Sequence, residues 1–219
     1  MAIQIELLAD LWRSSAQQIT AARIPNVKLY FSPGACSLAA HIALHEVDAD
    51  FEHERVDLKS KLTVSGSDYK AINPKGYVPA LVLDEGEAIT ENVAILDWIA
   101  DRYALWGFDG PLARTRLLET LAFISTEIHK SFKPLFAGGS DDERSKAREA
   151  ISKRLQFFEE RLSSGYIAGD HFSVVDCYLL VMLLWSDKQR IEVPEKLTKY
   201  RESLLTRPSV QTALHHETT

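Results

Sequence analysis

Val27-Lys28-Leu29-Tyr30-Phe31-Ser32-Pro33-Gly34-Ala35-Cys36-Ser37 is the stretch on which the fold turns. A short apolar run ends in Ser-Pro-Gly, and the small and apolar residues from Ala35 to Val47 then follow at helical spacing. Turn residues between a β-type run and a helix-type run mark a strand feeding a helix. The next β-type run, Phe51 to Asp57, completes a βαβ unit. Beyond a polar stretch from Ser65 to Ile72, which reads as a helix or a loop, stand two more short runs, Pro79 to Leu83 and Glu87 to Ile89. Asp84-Glu85-Gly86 between them has the composition of a tight hairpin turn, and a helix opens at Glu91. A parallel start that finishes in an antiparallel hairpin and a helix is the thioredoxin-like order.

From Pro111 onward the pattern is helical alone: Leu112 to Leu135, Asp141 to Leu162, Val174 to Trp185 and Glu195 to Leu205. The fold class expected is therefore α/β followed by all-α. A thioredoxin-like domain spans residues 27–103, a glycine-bearing linker 104–110, and an all-helical domain 111–219. The first 26 residues have a broken apolar stripe and no basic region ahead of an apolar core, so they read as an appended helix or a frayed segment, not a secretory signal.

Ser173-Val174-Val175-Asp176 is a capping box, and the helix behind it, Cys177 to Trp185, is apolar on all sides. Cys177 is thus expected to be a buried, inert thiol. Of 219 residues, 25 are Lys or Arg and 31 Asp or Glu, giving a net charge of −6 without a dense basic block, which argues against nucleic acid as a partner. The longest apolar run falls well short of the ~18 residues of a membrane helix, so no membrane partner is expected. The two cysteines, Cys36 and Cys177, form neither a C-x-x-C pair nor a metal-ligand group, and a reducing compartment fits them.

Chemistry concentrates at four places. Cys36 and Ser37 lie where a strand becomes a helix, and the free amides there favour an anion, either a Cys36 thiolate or one belonging to a ligand. From position alone, a small residue packed at a helix start explains Cys36 equally well. Pro79 stands just before a strand that must pair, which suggests a cis Val78–Pro79 bond and leaves Val78 to pair with an extended peptide. Glu91 and Asn92 open a helix and can hold an ammonium and a carboxylate, although a plain capping sequence would look the same. Thr126-Glu127-Ile128-His129-Lys130 sets Ala122, Ser125, Thr126 and His129 on one face of a helix, with Leu121, Ile124 and Ile128 toward the core.

These segments together resemble the glutathione transferases, specifically the bacterial beta class. The resemblance rests on Lys28 to Ser37, Val56-Asp57-Leu58, Asn73-Pro74-Lys75-Gly76 with Val78-Pro79-Ala80-Leu81, Thr90-Glu91, the Thr126 to Lys130 helix and the Ser173 to Asp176 box. It runs from Val27 to nearly the end of the chain. It implies a cytoplasmic homodimer that conjugates glutathione to electrophilic hydrophobic small molecules in detoxification, with glutathione as co-substrate and no metal. By matching position it puts Cys36 beside the glutathione sulfur, with Ser37 and His129 stabilising the thiolate. Phe31, where the class often has tyrosine, is expected to line the pocket. Lys61 is expected at the glycine carboxylate, Val78 and Pro79 at the cysteinyl backbone, Glu91 and Asn92 at the γ-glutamyl end, and Thr126 and Glu127 to assist. Ala122 stands where some relatives have asparagine, and Asn92 where glycine or serine is usual. Two other readings use the same residues: thiol–disulfide exchange or peroxide reduction through Cys36, and ligand binding without catalysis.

Overall fold

The computed structural model describes residues 27–162 and 164–218. The expected N-terminal helix lies outside the described residues. Strand β1 (Val27–Phe31) pairs in parallel with β2 (Phe51–Asp57), with Leu29 opposite His53, and antiparallel with β4 (Ala80–Val82), with Leu29 opposite Leu81. β5 (Ala88–Thr90) continues the sheet beyond β4, and the two-residue β3 (Leu62–Thr63) closes the other edge, giving the order β3-β2-β1-β4-β5. The βαβ start and antiparallel finish agree with the order read from the sequence.

Helix α1 (Leu38–Glu46) shows why its sequence lacks a polar stripe. Every residue from Leu38 to Leu44 is buried, because the sheet covers one side while helices from the second half cover the other. Helix α2 (Asn92–Tyr103) completes the thioredoxin-like half. The helical half holds α3 (Ala113–Phe123), a short α4 (Lys133–Phe136), α5 (Asp141–Arg161), α6 (Val174–Lys188), α7 (Glu195–Leu205) and α8 (Pro208–Thr218). One buried apolar cluster runs through both halves, from Leu29 and Ile42 to Tyr178 and Leu197, while a smaller one of Tyr30, Val56, Tyr69, Val78 and Ala80 lies within the thioredoxin-like half.

Two features depart from the sequence reading. The single helix expected from Leu112 to Leu135 is three kinds of helix in succession. After α3 the chain widens into a π-turn segment, Ile124–Ile128, then tightens into a 3₁₀ segment, His129–Phe132. Such insertions in an α-helix shift the angular register of the side chains that follow and are common at functional sites. The second departure is α8, which the sequence reading did not include. It packs on α1, and Arg207 just before it donates to Glu46 through Nε and Nη2, while Ser209 Oγ reaches the same carboxylate at 2.5 Å.

The α1–α8 seam collects charge-changing groups in an apolar setting. His41 is fully buried, and burial with His216 nearby pushes its pKa down to about 4. His45 is likewise pushed down to about 4, by burial and by the neighbouring histidines. Glu217, also buried, is pushed up to about 7 by desolvation, against the pull of the Gly34 amide. The histidines contribute stability above pH 6.5 that is lost as pH falls toward 4. Glu217 contributes stability below pH 4.5 that is lost as pH rises through 7. Near pH 5.5, midway between these values, the unfolded chain therefore holds about two protons on His41 and His45, whereas the folded chain holds about one on Glu217. Stability is expected to fall by about 1.4 kcal/mol per pH unit on acidification from these groups, and Glu217→Gln to steepen that to about 2.7 kcal/mol per unit. Urea denaturation midpoints at pH 6.5, 5.5 and 4.5 check it; an unchanged slope in the variant would refute the assignment.

Candidate functional site

The turn Ser32 to Cys36 is built by its own short-range bonds. Ser37 Oγ accepts from the Ser32 amide at 3.2 Å and donates to the Ser32 carbonyl at 3.3 Å, and Ala35 N–H donates to the same carbonyl at 3.0 Å. Gly34 takes φ +69°, the left-handed conformation this tight turn demands. The helical half then grips Gly34 on both sides: its N–H donates to Glu217 Oε2 at 2.8 Å, and its carbonyl accepts from Trp185 Nε1 at 2.9 Å.

The second wall is the loop before β4. The Val78–Pro79 bond is cis, and the Tyr77 carbonyl ahead of it accepts from the Tyr69 hydroxyl and from Asn73 Nδ2, each at 2.7 Å. Both donors are buried, so the loop is fixed from beneath. Lys61 reaches across to donate to the Gly76 carbonyl at 2.9 Å. The third wall is the start of α2, where Glu91 pairs with Lys75 and the buried Asn92 amide has no hydrogen-bond partner among the described residues. The fourth comes from the helical half. His129 Nδ1 lies 2.6 Å from the Tyr178 hydroxyl, and its ring meets Trp185 edge-on at 5.0 Å.

These walls enclose an open cavity of about 880 Å³. It is lined by Cys36, Lys61, Val78, Pro79, Glu91, Asn92, Thr126, His129, Tyr178 and Trp185, among others. Lys61, Lys130, Lys133 and Lys188 face it against a single acidic side chain, Glu91, so the cavity is positive in a chain whose net charge is −6. Phe136 stacks edge-on against Trp185 at 4.9 Å and adds an apolar corner beside the lysines. An anionic, peptide-like molecule with a sulfur near Cys36 suits this mixture of charge and backbone.

Comparison with known proteins decides which molecule. Residues 33–102 match the family described as glutathione S-transferase, N-terminal domain, and residues 120–208 match glutathione S-transferase, C-terminal domain. The chain is 40% identical to glutathione S-transferase GstA of Escherichia coli O157:H7 over 198 residues, covering 87% of this chain and 98% of that protein. The chain belongs to the glutathione S-transferase family. Among solved structures, this transferase is 44% identical to a sphingomonad glutathione S-transferase complexed with glutathione, at a TM-score of 0.80 over 87% of this chain and 98% of that one. A bacterial beta class enzyme from Sphingomonas chungbukensis is similar at 44% identity and a TM-score of 0.79, again over 87% and 98%. Glutathione is accordingly the co-substrate of this transferase.

Most of the residues singled out in the sequence of the transferase meet at this cavity, but three do not. Phe31 lies in β1 with its ring in the core, 5.1 Å from His41 and 5.7 Å from His53, because strand alternation sends it to the α1 side of the sheet. Ser37 is fully buried and bonded back to Ser32, so it shapes the turn and does not face the cavity. Glu127 is held by Arg154 at 2.9 Å, outside the cavity lining. Thr126 does line it, with its hydroxyl donating to the Ala122 carbonyl at 3.0 Å.

Of the two thiolates that the helix-start position favours, the surroundings leave that of a ligand and oppose that of Cys36. The amides of Cys36 and Ser37 pull its pKa down as the helix-start position implies, but burial outweighs them and, with Glu91 and Glu217 adding, pushes the thiol up to about 12. It is a neutral donor, with Sγ 3.5 Å from the Val78 carbonyl. Cys177 is fully buried and its thiol is likewise pushed well up. His129 is held below its ordinary range by burial, so the ring is neutral at pH 7. Sequence reasoning missed Tyr178 and Trp185. Both sit in an all-apolar helix that reads as core, and their polar atoms were the one available signal.

Proposed function

We propose that the transferase binds glutathione along this cavity, holds its sulfur as a thiolate, and directs it at an electrophilic, hydrophobic small molecule. Support comes foremost from one observation: the Cys36 turn, the cis-proline loop and the start of α2 face His129, Tyr178 and Trp185 of the helical half across one positively charged cavity. In this reading Val78 pairs with the cysteinyl backbone beside Pro79, and Lys61 meets the glycine carboxylate. Glu91 takes the γ-glutamyl ammonium, for which its pairing with the Lys75 ammonium is a precedent. The partnerless Asn92 amide takes the carboxylate.

The thiolate would be stabilised by His129. When Tyr178 donates to Nδ1 of the neutral ring, Nε2 carries the hydrogen and becomes the donor. Cys36 contributes a neutral S–H at the same place. Such donors, fixed before the charge develops, lower the thiol pKa from ~8.5. The electrophile would lie on Phe136 and Trp185, with Lys130, Lys133 and Lys188 at its margin. Ser37 and Glu127 act through the turn and through Arg154 in this scheme.

In this reading residues 27–103 carry the glutathione-binding part, 104–110 the linker and 111–219 the helical part. A homodimer and a detoxifying role in the cytoplasm complete the proposal; two unpaired cysteines accord with a reducing compartment, and no helix among the described residues is long and apolar enough to cross a membrane. Disulfide or peroxide reduction through Cys36 ranks second, because its neutral, half-buried thiol is a poor nucleophile until something displaces the Val78 contact. Binding without catalysis ranks third.

Calorimetric titration with reduced glutathione is the direct test, followed by activity against a panel of aryl halides, epoxides and peroxides. Binding is expected to weaken about tenfold in Lys61→Ala, roughly 1.4 kcal/mol for one charge-assisted contact. Absence of binding at millimolar glutathione would favour the third reading, and peroxide or disulfide turnover exceeding conjugation would favour the second.

A further inference from the structure

We propose that His41, His53 and His216 form a binding site for a divalent transition metal of the zinc and copper type, which joins α8 to α1 and β2. The three come from parts of the chain that nothing in the sequence links: α1, the exposed end of β2 and the C-terminal turn of α8. One ring nitrogen from each lies within 4.8 Å of the other two, a spacing shared by no other group of histidines, cysteines and carboxylates among the described residues. The ring of His53 stacks on that of His216 at 4.7 Å, and both stand near His41, at 5.2 and 5.7 Å.

A core role alone leaves His41 unexplained. Its ring is fully buried and neither nitrogen has a hydrogen-bond partner; Glu217 Oε1, at 3.6 Å, is beyond hydrogen-bond reach. Buried polar atoms are nearly always paired, so an orphaned imidazole aimed at two others calls for a ligand. Imidazole nitrogens suit zinc, copper and nickel ions, and they bind in the neutral form. Burial holds His41 and His53 below the ordinary histidine range, so both are neutral at pH 7.

The geometry is within reach of closure. Zinc–nitrogen bonds of about 2.0–2.1 Å in a tetrahedron set ligand atoms roughly 3.3–3.4 Å apart, so the nitrogens must draw together by at most about 1.4 Å. His53 is exposed and can supply the movement by side-chain rotation, and its exposure gives an ion a path in. The His216 ring is already oriented, because its Nδ1 shares a hydrogen bond with His45 Nε2 at 3.3 Å, the kind of outer contact that fixes metal-bound imidazoles. Phe31 and Phe51 pack around the group and exclude water from its inner side. None of the three histidines lines the glutathione cavity, so the site is separate from the transferase chemistry.

The test is isothermal titration of the full chain, without an affinity tag, with Zn²⁺ in a non-chelating buffer at pH 7.5, together with visible absorption after adding Co²⁺. One ion per chain is expected, with cobalt bands of nitrogen ligation and no thiolate charge-transfer band. Cys36→Ser is expected to bind zinc as the parent does, while His53→Ala and His216→Ala weaken binding at least tenfold. At a hundredfold excess over Kd, Zn²⁺ is expected to raise Tm by about 5 °C or more. His53 is exposed, so its variant folds whatever the fate of His216→Ala. Binding weaker than millimolar, binding lost in Cys36→Ser, or equal affinity in His53→Ala and the parent would each overturn the proposal.

Discussion

Asp176→Ala is expected to destabilise the protein by about 3–5 kcal/mol, a large share of the ~5–15 kcal/mol that holds a typical protein folded. The carboxylate is fully buried and serves four donors. Oδ2 accepts from the Ser173 amide at 2.7 Å and the Ser173 hydroxyl at 2.8 Å, while Oδ1 accepts from the Ile167 amide at 3.0 Å and from the Tyr200 hydroxyl. Removing it strands all four in a buried site, and each stranded group costs about 1–3 kcal/mol before relaxation. The loss propagates, because these bonds tie the loop at Ile167 and helix α7 to the first turn of α6. Asp176→Asn keeps one acceptor oxygen and should lose less. Urea denaturation measures both, and a loss below about 1 kcal/mol in the alanine variant would show that the box is not a structural keystone.

The largest effect on activity is expected at His129. His129→Ala removes the donor assigned to the glutathione thiolate and should lower kcat/KM about 10- to 100-fold, about 1.4–2.7 kcal/mol of transition-state stabilisation. Glutathione affinity should change far less, since the backbone and carboxylate contacts remain. The thiolate absorbance of bound glutathione should titrate at higher pH in the variant. Tyr178→Phe should produce a smaller fall in the same direction, because Tyr178 orients the ring and does not touch sulfur. A turnover in His129→Ala equal to that of the parent, with an unmoved thiolate titration, would remove His129 from the mechanism.

How far the sequence could be read depended on the kind of periodicity involved. The βαβ start was legible because Val27–Phe31 and Phe51–Asp57 are short apolar runs bracketed by turn residues, and the Ser173 box because a cap is a four-residue pattern. The loop before β4 was legible from Pro79, which can occupy few places in a sheet. Side-chain direction was less so. Phe31 was assigned to the cavity by analogy with a tyrosine, yet the two-residue repeat of β1 turns it inward. Glu127 and Thr126 are neighbours in sequence, and a widened turn at Ile124–Ile128 sets their directions in a way that a regular helical repeat does not describe. Tyr178 and Trp185 were hidden among apolar neighbours, since a helix lined by other helices gives no stripe to read. The histidine group was invisible because its members are separated by strand, helix and most of the second half.

The two bonds that grip Gly34 also bear on how the enzyme is made. Gly34 and the carboxylate that accepts its N–H are 183 positions apart in the chain. At roughly 5–20 residues per second, a ribosome takes about 10–40 s to travel between them. Through that interval the nascent thioredoxin-like half carries this turn, shaped by its own bonds at Ser37, without the clamp that the helical half adds. The clamp between the two halves therefore forms late in biosynthesis, after both the sheet and most of the helical half have been translated.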